Sequence, residues 1–303
     1  MPVYLPTLSR RDFLVGAGSA VVGLSVARAG FSAEGEACEL AWLSDTHIPS
    51  APDITARDVN MTANLRQVVG ELCGLKSPPA AVIINGDCAY LKGLPADYAN
   101  LADCVAPLQA AGMPLHVTMG NHDDRQPLFE ALKAVRPEAS PVQSKHVGVI
   151  ETPYANLFLL DSMYQVDVVT GELGQQQLTW LAKALDARGD KPAVIMGHHN
   201  PQFQAPPEGS RWTGLQDTAA FLELLASRKH VRAYVFGHTH NWSISRRDTL
   251  HLINLPPVAY VFGAGKPNGW VHARLDTTGM TLTLHTIDKQ HPQQGERVEL
   301  SWS

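Results

Sequence analysis

Five short clusters of Asp, Asn and His stand out along the chain: Asp45-Thr46-His47, Gly86-Asp87, Gly120-Asn121-His122-Asp123, Gly197-His198-His199 and Gly237-His238-Thr239-His240. A carboxylate offers hard anionic oxygen and a neutral imidazole offers nitrogen. That mixture suits Mn, Fe, Zn or Co better than Ca or the soft-thiolate metals. Two such ions about 3.5–4 Å apart can clamp a phosphate, acidify a water and stabilise both attacking and leaving oxygens. The arrangement needs one carboxylate shared by both ions, and Asp87, an isolated acid after a glycine, is the natural candidate. A lone Asp-x-His or Gly-Asp arises by chance; five clusters in this order do not.

Elements that could position them are visible. Each cluster follows an apolar run that reads as a strand, at 40–43, 80–84, 115–119, 193–196 and 231–236. In open α/β sheets ligands bind beyond the carboxyl ends of the strands, so these five would deliver their side chains to one rim. Helical periodicity lies between them, at 64–75, 95–111, 175–187 and 218–227. The alternation predicts α/β layers with largely parallel pairing. After about Trp242 the helices stop, and 243–246, 250–255, 270–275 and 281–286 alternate like antiparallel strands, with Thr277-Thr278-Gly279 as a turn. Residues 200–214, rich in Pro, Gly and Gln, predict a long loop beside the fourth cluster.

The 303 residues suffice for one large α/β domain, and no repeat or linker divides them, so a single domain over 38–290 is expected. The net charge of −5 gives no electrostatic reason to expect nucleic-acid or anionic-membrane binding. At the start, Ser9-Arg10-Arg11-Asp12-Phe13-Leu14 precedes a modest apolar run and Ala27-Arg28-Ala29. Residues 1–29 thereby resemble a twin-arginine signal peptide, and the run is shorter than the ~20 residues a bilayer span needs. This implies export of the folded protein by the twin-arginine machinery to a periplasmic or extracytoplasmic location, after metal loading in the cytoplasm. Cys38, Cys73, Cys88 and Cys104 form no C-x-x-C pair; their places on helices and strands predict buried free thiols rather than a zinc knuckle.

Taken together, the five clusters resemble the calcineurin-like metallophosphoesterase superfamily over residues 39–286. The resemblance implies an α/β fold, a four-layer α/β-β/α sandwich of two mixed β-sheets flanked by helices, with a dinuclear site at its edge. Carried over by position, Asp45, His47 and His240 match ligands of a first metal and Asp87 the bridging carboxylate. Asn121, His198 and His238 match ligands of a second. His122 matches the non-ligand histidine that steadies the transition state or protonates the leaving oxygen, with Asp123 or Asp124 as candidates to orient it. The implied cofactors are two divalent or trivalent transition-metal ions, Mn, Fe or Zn. The implied reaction is hydrolysis of small-molecule phosphodiesters or monoesters by in-line attack of a metal-bridging hydroxide. A nuclease or lipid-head-group phosphoesterase is the alternative enzyme. A non-catalytic scaffold of this fold would have lost ligand positions, and all seven are present.

Finer signals are similar to the class III cyclic-nucleotide and glycerophosphodiester phosphodiesterases: Asp123-Asp124-Arg125, His198-His199-Asn200, Leu159-Leu160-Asp161-Ser162, Gly171-Glu172-Leu173 and Gln177-Leu178-x-Trp180-Leu181. That group carries proline where Asn200 stands. Cys88-Ala89-Tyr90 replaces the Asp-Arg-Gly run of protein Ser/Thr phosphatases, and His47 stands where purple acid phosphatases have glycine, so Tyr90 reads as a wall or packing residue. For substrate contact the candidates are His199, Arg125 (a phosphate contact or a salt bridge) and Arg211 with Trp212 on the loop.

Overall fold

The computed structural model describes residues 26–27, 37–135 and 140–303. The signal-peptide reading of residues 1–29 therefore lies outside the described residues, apart from Val26–Ala27. The strands are β1 (Val26–Ala27), β2 (Cys38–Leu43), β3 (Ala81–Asn85), β4 (Leu115–Thr118), β5 (Gly148–Glu151), β6 (Asn156–Leu159), β7 (Ala193–Met196), β8 (Val231–Phe236), β9 (Ser243–Arg247), β10 (Leu250–Asn254), β11 (Gly269–Leu275), β12 (Gly279–Thr286) and β13 (Arg297–Ser301). The helices are α1 (Met61–Cys73), α2 (Pro95–Ala110), α3 (Arg125–Ala131), α4 (Gln175–Asp186) and α5 (Thr218–Ala226).

Side-chain alternation along the strands builds the layers. On β2 and β3, Leu40, Trp42, Ala81 and Ile83 face one way, into a core shared with Leu157, Leu159, Val194, Met196, Ala233 and Val235 of the other sheet. Ala41, Leu43, Val82 and Ile84 face the opposite way, onto Leu65, Val68 and Leu72 of α1 and Leu101, Val105 and Leu108 of α2. The second sheet does the same, with Phe158, Ile195 and Tyr234 turned outward onto Leu181, Leu185 and Phe221 of α4 and α5. A strand buried on both faces must read as a continuous apolar run. The result is the four-layer sandwich that the resemblance implies, with two mixed sheets ordered β1-β5-β6-β7-β8-β10-β9 and β13-β12-β11-β2-β3-β4.

Parallel pairing of β2 with β3 and β3 with β4 points three carboxyl ends the same way, and parallel β7 and β8 do so in the other sheet. Asn85 stitches the two rims: its side chain donates to Gly197 O (3.0 Å) and accepts from Thr118 Oγ1 (2.9 Å).

Three expectations change. The domain does not stop at 290, because β13 pairs with β12 and Leu300 and Trp302 enter the inter-sheet core. Strand β10 is antiparallel to β9 yet parallel to β8, so the late strands are not uniformly antiparallel. All four cysteines are free, but Cys73, the last residue of α1, is exposed rather than buried. The 277–279 turn forms as expected, with Asp276 Oδ1 accepting from the amides of Thr278 (2.8 Å) and Gly279 (3.2 Å).

Candidate metal centre

The strand ends bring the predicted side chains together. Asp45, His47 and His240 form one group, and Asp87, His198 and His238 another; within each, the donor atoms lie within 4.8 Å of one another. Asp87 Oδ2 sits between them, 3.2 Å from His198 Nε2 and 3.7 Å from His47 Nε2. Asn121 follows β4, and its neighbour's amide, His122 N–H, donates to Asp87 Oδ1 at 2.9 Å. Asp45, His47, Asp87, Asn121, His198 and His240 are all buried.

Backbone carbonyls decide which imidazole nitrogen faces inward. His47 Nδ1 meets Tyr90 O, His240 Nδ1 meets Tyr260 O, His198 Nδ1 meets Asn85 O, and His238 Nε2 meets Thr213 O. A carbonyl only accepts, so each of these nitrogens carries a proton, and the opposite nitrogen presents a lone pair wherever the ring is neutral. Those lone pairs converge: His47 Nε2 and His240 Nε2 are 3.0 Å apart, and His198 Nε2 and His238 Nδ1 are 3.3 Å apart. Two neutral rings at that spacing repel unless a cation lies between or beside them, and without metal the proton that His198 retains relieves the second pair. Asn121 Oδ1 is likewise buried with no hydrogen-bond partner. An all-acceptor nest of imidazole nitrogen, amide oxygen and carboxylate fits a pair of transition-metal ions.

The backbone here is held in the left-handed region at residues other than glycine: φ is +52° at Asp45, +45° at His47, +49° at Asp87, +67° at His238 and +50° at His240. Each such residue costs of order 1–3 kcal/mol and persists only where the surroundings over-determine it. The glycines of the clusters have a steric cause. A Cβ on Gly120 would meet Asp87 Oδ1 at 2.1 Å, and one on Gly237 would meet Ser44 Oγ at 2.0 Å.

Electrostatics follow from burial against charge pairing. Burial opposes ionisation of Asp45 and Asp87, yet the neighbouring imidazoles, His240 and His198 for Asp45 and chiefly His198 for Asp87, hold both carboxyls below the usual carboxylate range. Burial also opposes charge on His198, but Asp87 and Asp45 push it up to about 9. Burial pulls His47 and His238 down to about 4. The signs give opposite pH windows. His47 and His238 are lowered from 6.5, so their contribution to stability is full above pH 6.5 and is lost as pH falls towards 4. His198 is raised from 6.5, so its contribution is full below that value and lost as pH rises through about 9. Protein stripped with chelator should therefore show a melting temperature that peaks near pH 6.5 and falls on both sides. A monotonic profile from pH 4 to 9 in thermal scans would contradict this charge arrangement. Metal loading at neutral pH should release the His198 proton, visible as buffer-dependent heat on titration.

Outside the nest, His122 Nδ1 meets Leu91 O at 2.7 Å and lies 3.6 Å from Asp167 Oδ1. Neither sequence candidate orients it. Asp123 is spent on the amides of Cys88, Ala89 and Gly120 and on Tyr98 Oη, while Asp124 caps α3 through the Gln126 amide. Arg125 resolves as the salt bridge rather than a phosphate contact: Nε and Nη2 reach the two oxygens of buried Asp161 at 2.6 and 2.7 Å. His199 is fully buried, with Nδ1 on Ser162 Oγ at 2.8 Å and Nε2 unpartnered. Arg211 is exposed on the 200–214 loop, which touches the centre through Thr213 O rather than through that side chain. Tyr90 packs against the helix-side core. The orienting carbonyls of Asn85, Tyr90, Leu91, Thr213 and Tyr260 carry no signal in sequence, because every residue owns a carbonyl.

Comparison with known proteins gives a consistent picture. The family described as calcineurin-like phosphoesterase matches residues 39–242. The chain is 28% identical over 229 residues to the 3',5'-cyclic adenosine monophosphate phosphodiesterase CpdA of Pseudomonas aeruginosa, covering 75% of this chain and 78% of that one. It is 26% identical over 225 residues to the glycerophosphodiester phosphodiesterase GpdQ of Enterobacter lignolyticus, covering 73% and 77%. A solved dimetal phosphatase from Danio rerio shares the fold, with a TM-score of 0.65 at 16% identity over 88% of this chain and 100% of that one.

Proposed function

As a member of the calcineurin-like phosphoesterase family the chain is a metal-dependent phosphoesterase, and we propose that its substrates are small-molecule phosphodiesters. The reading is carried by the converging imidazole nitrogens and the unpaired Asn121 Oδ1, a donor set that a pair of metal ions would complete. Its diester preference is supported by the likeness to the two phosphodiesterases. Asp45, His47 and His240 would hold one ion and Asn121, His198 and His238 the other, with Asp87 placed to serve both. The nitrogen and oxygen donors suit Mn, Fe or Zn. When bound, such a pair supplies Lewis-acid polarisation of the phosphoryl oxygens and an acidified water. The chain's own part is to fix that geometry and to handle the leaving oxygen. His122, pinned through Nδ1 to Leu91 O, turns Nε2 free as the atom that delivers a proton to the departing alkoxide.

Chelated protein reloaded with Mn, or with Fe and Zn, should hydrolyse bis-p-nitrophenyl phosphate faster than p-nitrophenyl phosphate, and Asn121→Ala should lose that turnover. Wild-type inactivity with all these metals would sink the reading in favour of a binding scaffold; a faster monoester rate would move the substrate class.

Export through the twin-arginine machinery belongs to the same proposal and rests on Arg10-Arg11 with the short apolar run. Among the described residues no helix is long and apolar enough to cross a membrane. Lysine at both Arg10 and Arg11 should leave the protein in the cytoplasmic fraction; unchanged periplasmic recovery would refute the route.

A further inference from the structure

Arg57 and Asp58 form the tip of a tight turn beside the centre. The Ala56 amide donates to Val59 O at 2.9 Å and the Val59 amide donates back to Ala56 O at 3.0 Å. Both tip residues have positive φ, +52° and +63°. Two left-handed residues inside such a closed pair make a type I′ turn, which ordinarily takes Asn and Gly. An arginine is held there against its backbone preference.

Its side chain explains the place. The Arg57 Cζ lies 5.0 Å from the ring centroid of Phe262 and 5.6 Å from that of Tyr260. Phe262, 56% exposed, stacks at 4.1 Å on His240, and Tyr260 stacks on His47 at 5.3 Å. The support is rigid, because the amides of Val258 and Ala259 donate to Ser44 O and Asp45 O, and the Asn64 and Asn268 carboxamides hold Ala259 O. Arg57 is thereby seated one ring away from a candidate metal ligand. Among the described residues it makes no hydrogen bond or ion pair, in contrast to Arg125. A guanidinium whose flat face rests on aromatic rings keeps its N–H edge free, and that edge matches an oxyanion with two parallel hydrogen bonds.

We propose that Arg57 is an oxyanion-recognition residue at the rim of the centre, binding either a non-bridging oxygen of the scissile phosphate or an acidic group carried beside it on the same substrate. This rests on the phosphodiesterase reading above. Arg57→Ala, Arg57→Lys and Asp58→Gly would be compared on glycerophosphocholine and glycerophosphoserine, with thermal melts as the fold control. Arg57→Ala should raise KM by about 10- to 100-fold, the worth of a hydrogen bond to a charged group, with kcat little changed. Arg57→Lys, keeping charge without the fork, should recover part of the loss, and Asp58→Gly should leave KM unaltered. An equal rise for both substrates assigns the scissile phosphate; a rise confined to glycerophosphoserine assigns the neighbouring acid. An unchanged KM for Arg57→Ala, or an equal rise for Asp58→Gly, overturns the proposal. If the wild type hydrolyses neither diester, the phosphodiesterase reading itself has failed. Arg57 is then judged by calorimetry of inorganic phosphate binding to the Mn-loaded protein, where Arg57→Ala should weaken affinity about tenfold or more and equal affinities would refute the role.

Discussion

Asp87→Asn should give a folded protein with turnover reduced on the order of 10³-fold or more, because the substitution removes the carboxylate that sits between the two ligand groups, 3.7 Å from His47 Nε2 and 3.2 Å from His198 Nε2. Folding should survive, since an asparagine Oδ1 can still accept the His122 amide that Asp87 Oδ1 accepts now. Metal content measured by mass spectrometry should fall below two ions per chain. The bridging role would be abandoned if Asp87→Asn retained two ions and activity within about tenfold of wild type, a loss smaller than removing a single electrostatic donor normally causes.

His122→Ala should lower kcat by about 10²–10⁴-fold on substrates with an alkoxide leaving group, the usual worth of a positioned general acid. On p-nitrophenyl esters the loss should be much smaller, because nitrophenolate departs with little need of a proton. Metal content separates two readings of this residue. His122 also lies within reach of His47 and Asp87 as a third possible ligand group. Retained ions with a leaving-group-dependent loss support the proton-delivery role. Loss of ions, with equal damage to both substrate types, would make His122 a ligand instead.

Both predictions depend on the strained frame around the centre. Candidate ligand residues in left-handed backbone are fixed within each sheet: the His47 amide donates to Asp87 O, the Asp45 amide to Gly86 O and the Gly237 amide to His198 O. Such cross-linking holds the donors in position before any ion arrives, and it lets like-natured lone pairs stand 3.0–3.3 Å apart. Stability is given up locally for that geometry, a common trade at functional sites.

Much was legible without coordinates. Strands buried on both faces are continuous apolar runs, so β2, β3, β4, β7 and β8 fall within two residues of where the sequence places them. Helices α1, α2, α4 and α5 announce themselves by one apolar stripe each. Four-residue β5 and β6 and seven-residue α3 were not legible, because so few residues carry no measurable period and their state depends on neighbours. Strand β13 is a strand because β12 offers it an edge, a non-local fact.

The chain's sequence by itself determined the chemistry on offer: which side chains could donate to metal, where glycine is needed, and which strand delivers each candidate donor. Residue type and apolar periodicity are local properties, and both are written directly in the order of residues. Only the tertiary structure decided which nitrogen of each imidazole faces the centre, since that choice belongs to a carbonyl 20 to 113 residues away, from Tyr260 O behind His240 to Asn85 O behind His198. It also decided what each arginine meets. Arg125 looked available beside the third cluster and is spent on Asp161, whereas Arg57, in an unremarked turn, rests on Phe262 and Tyr260 with no hydrogen bond or ion pair among the described residues. Availability of a charge is a matter of what folds against it, and that no local pattern encodes.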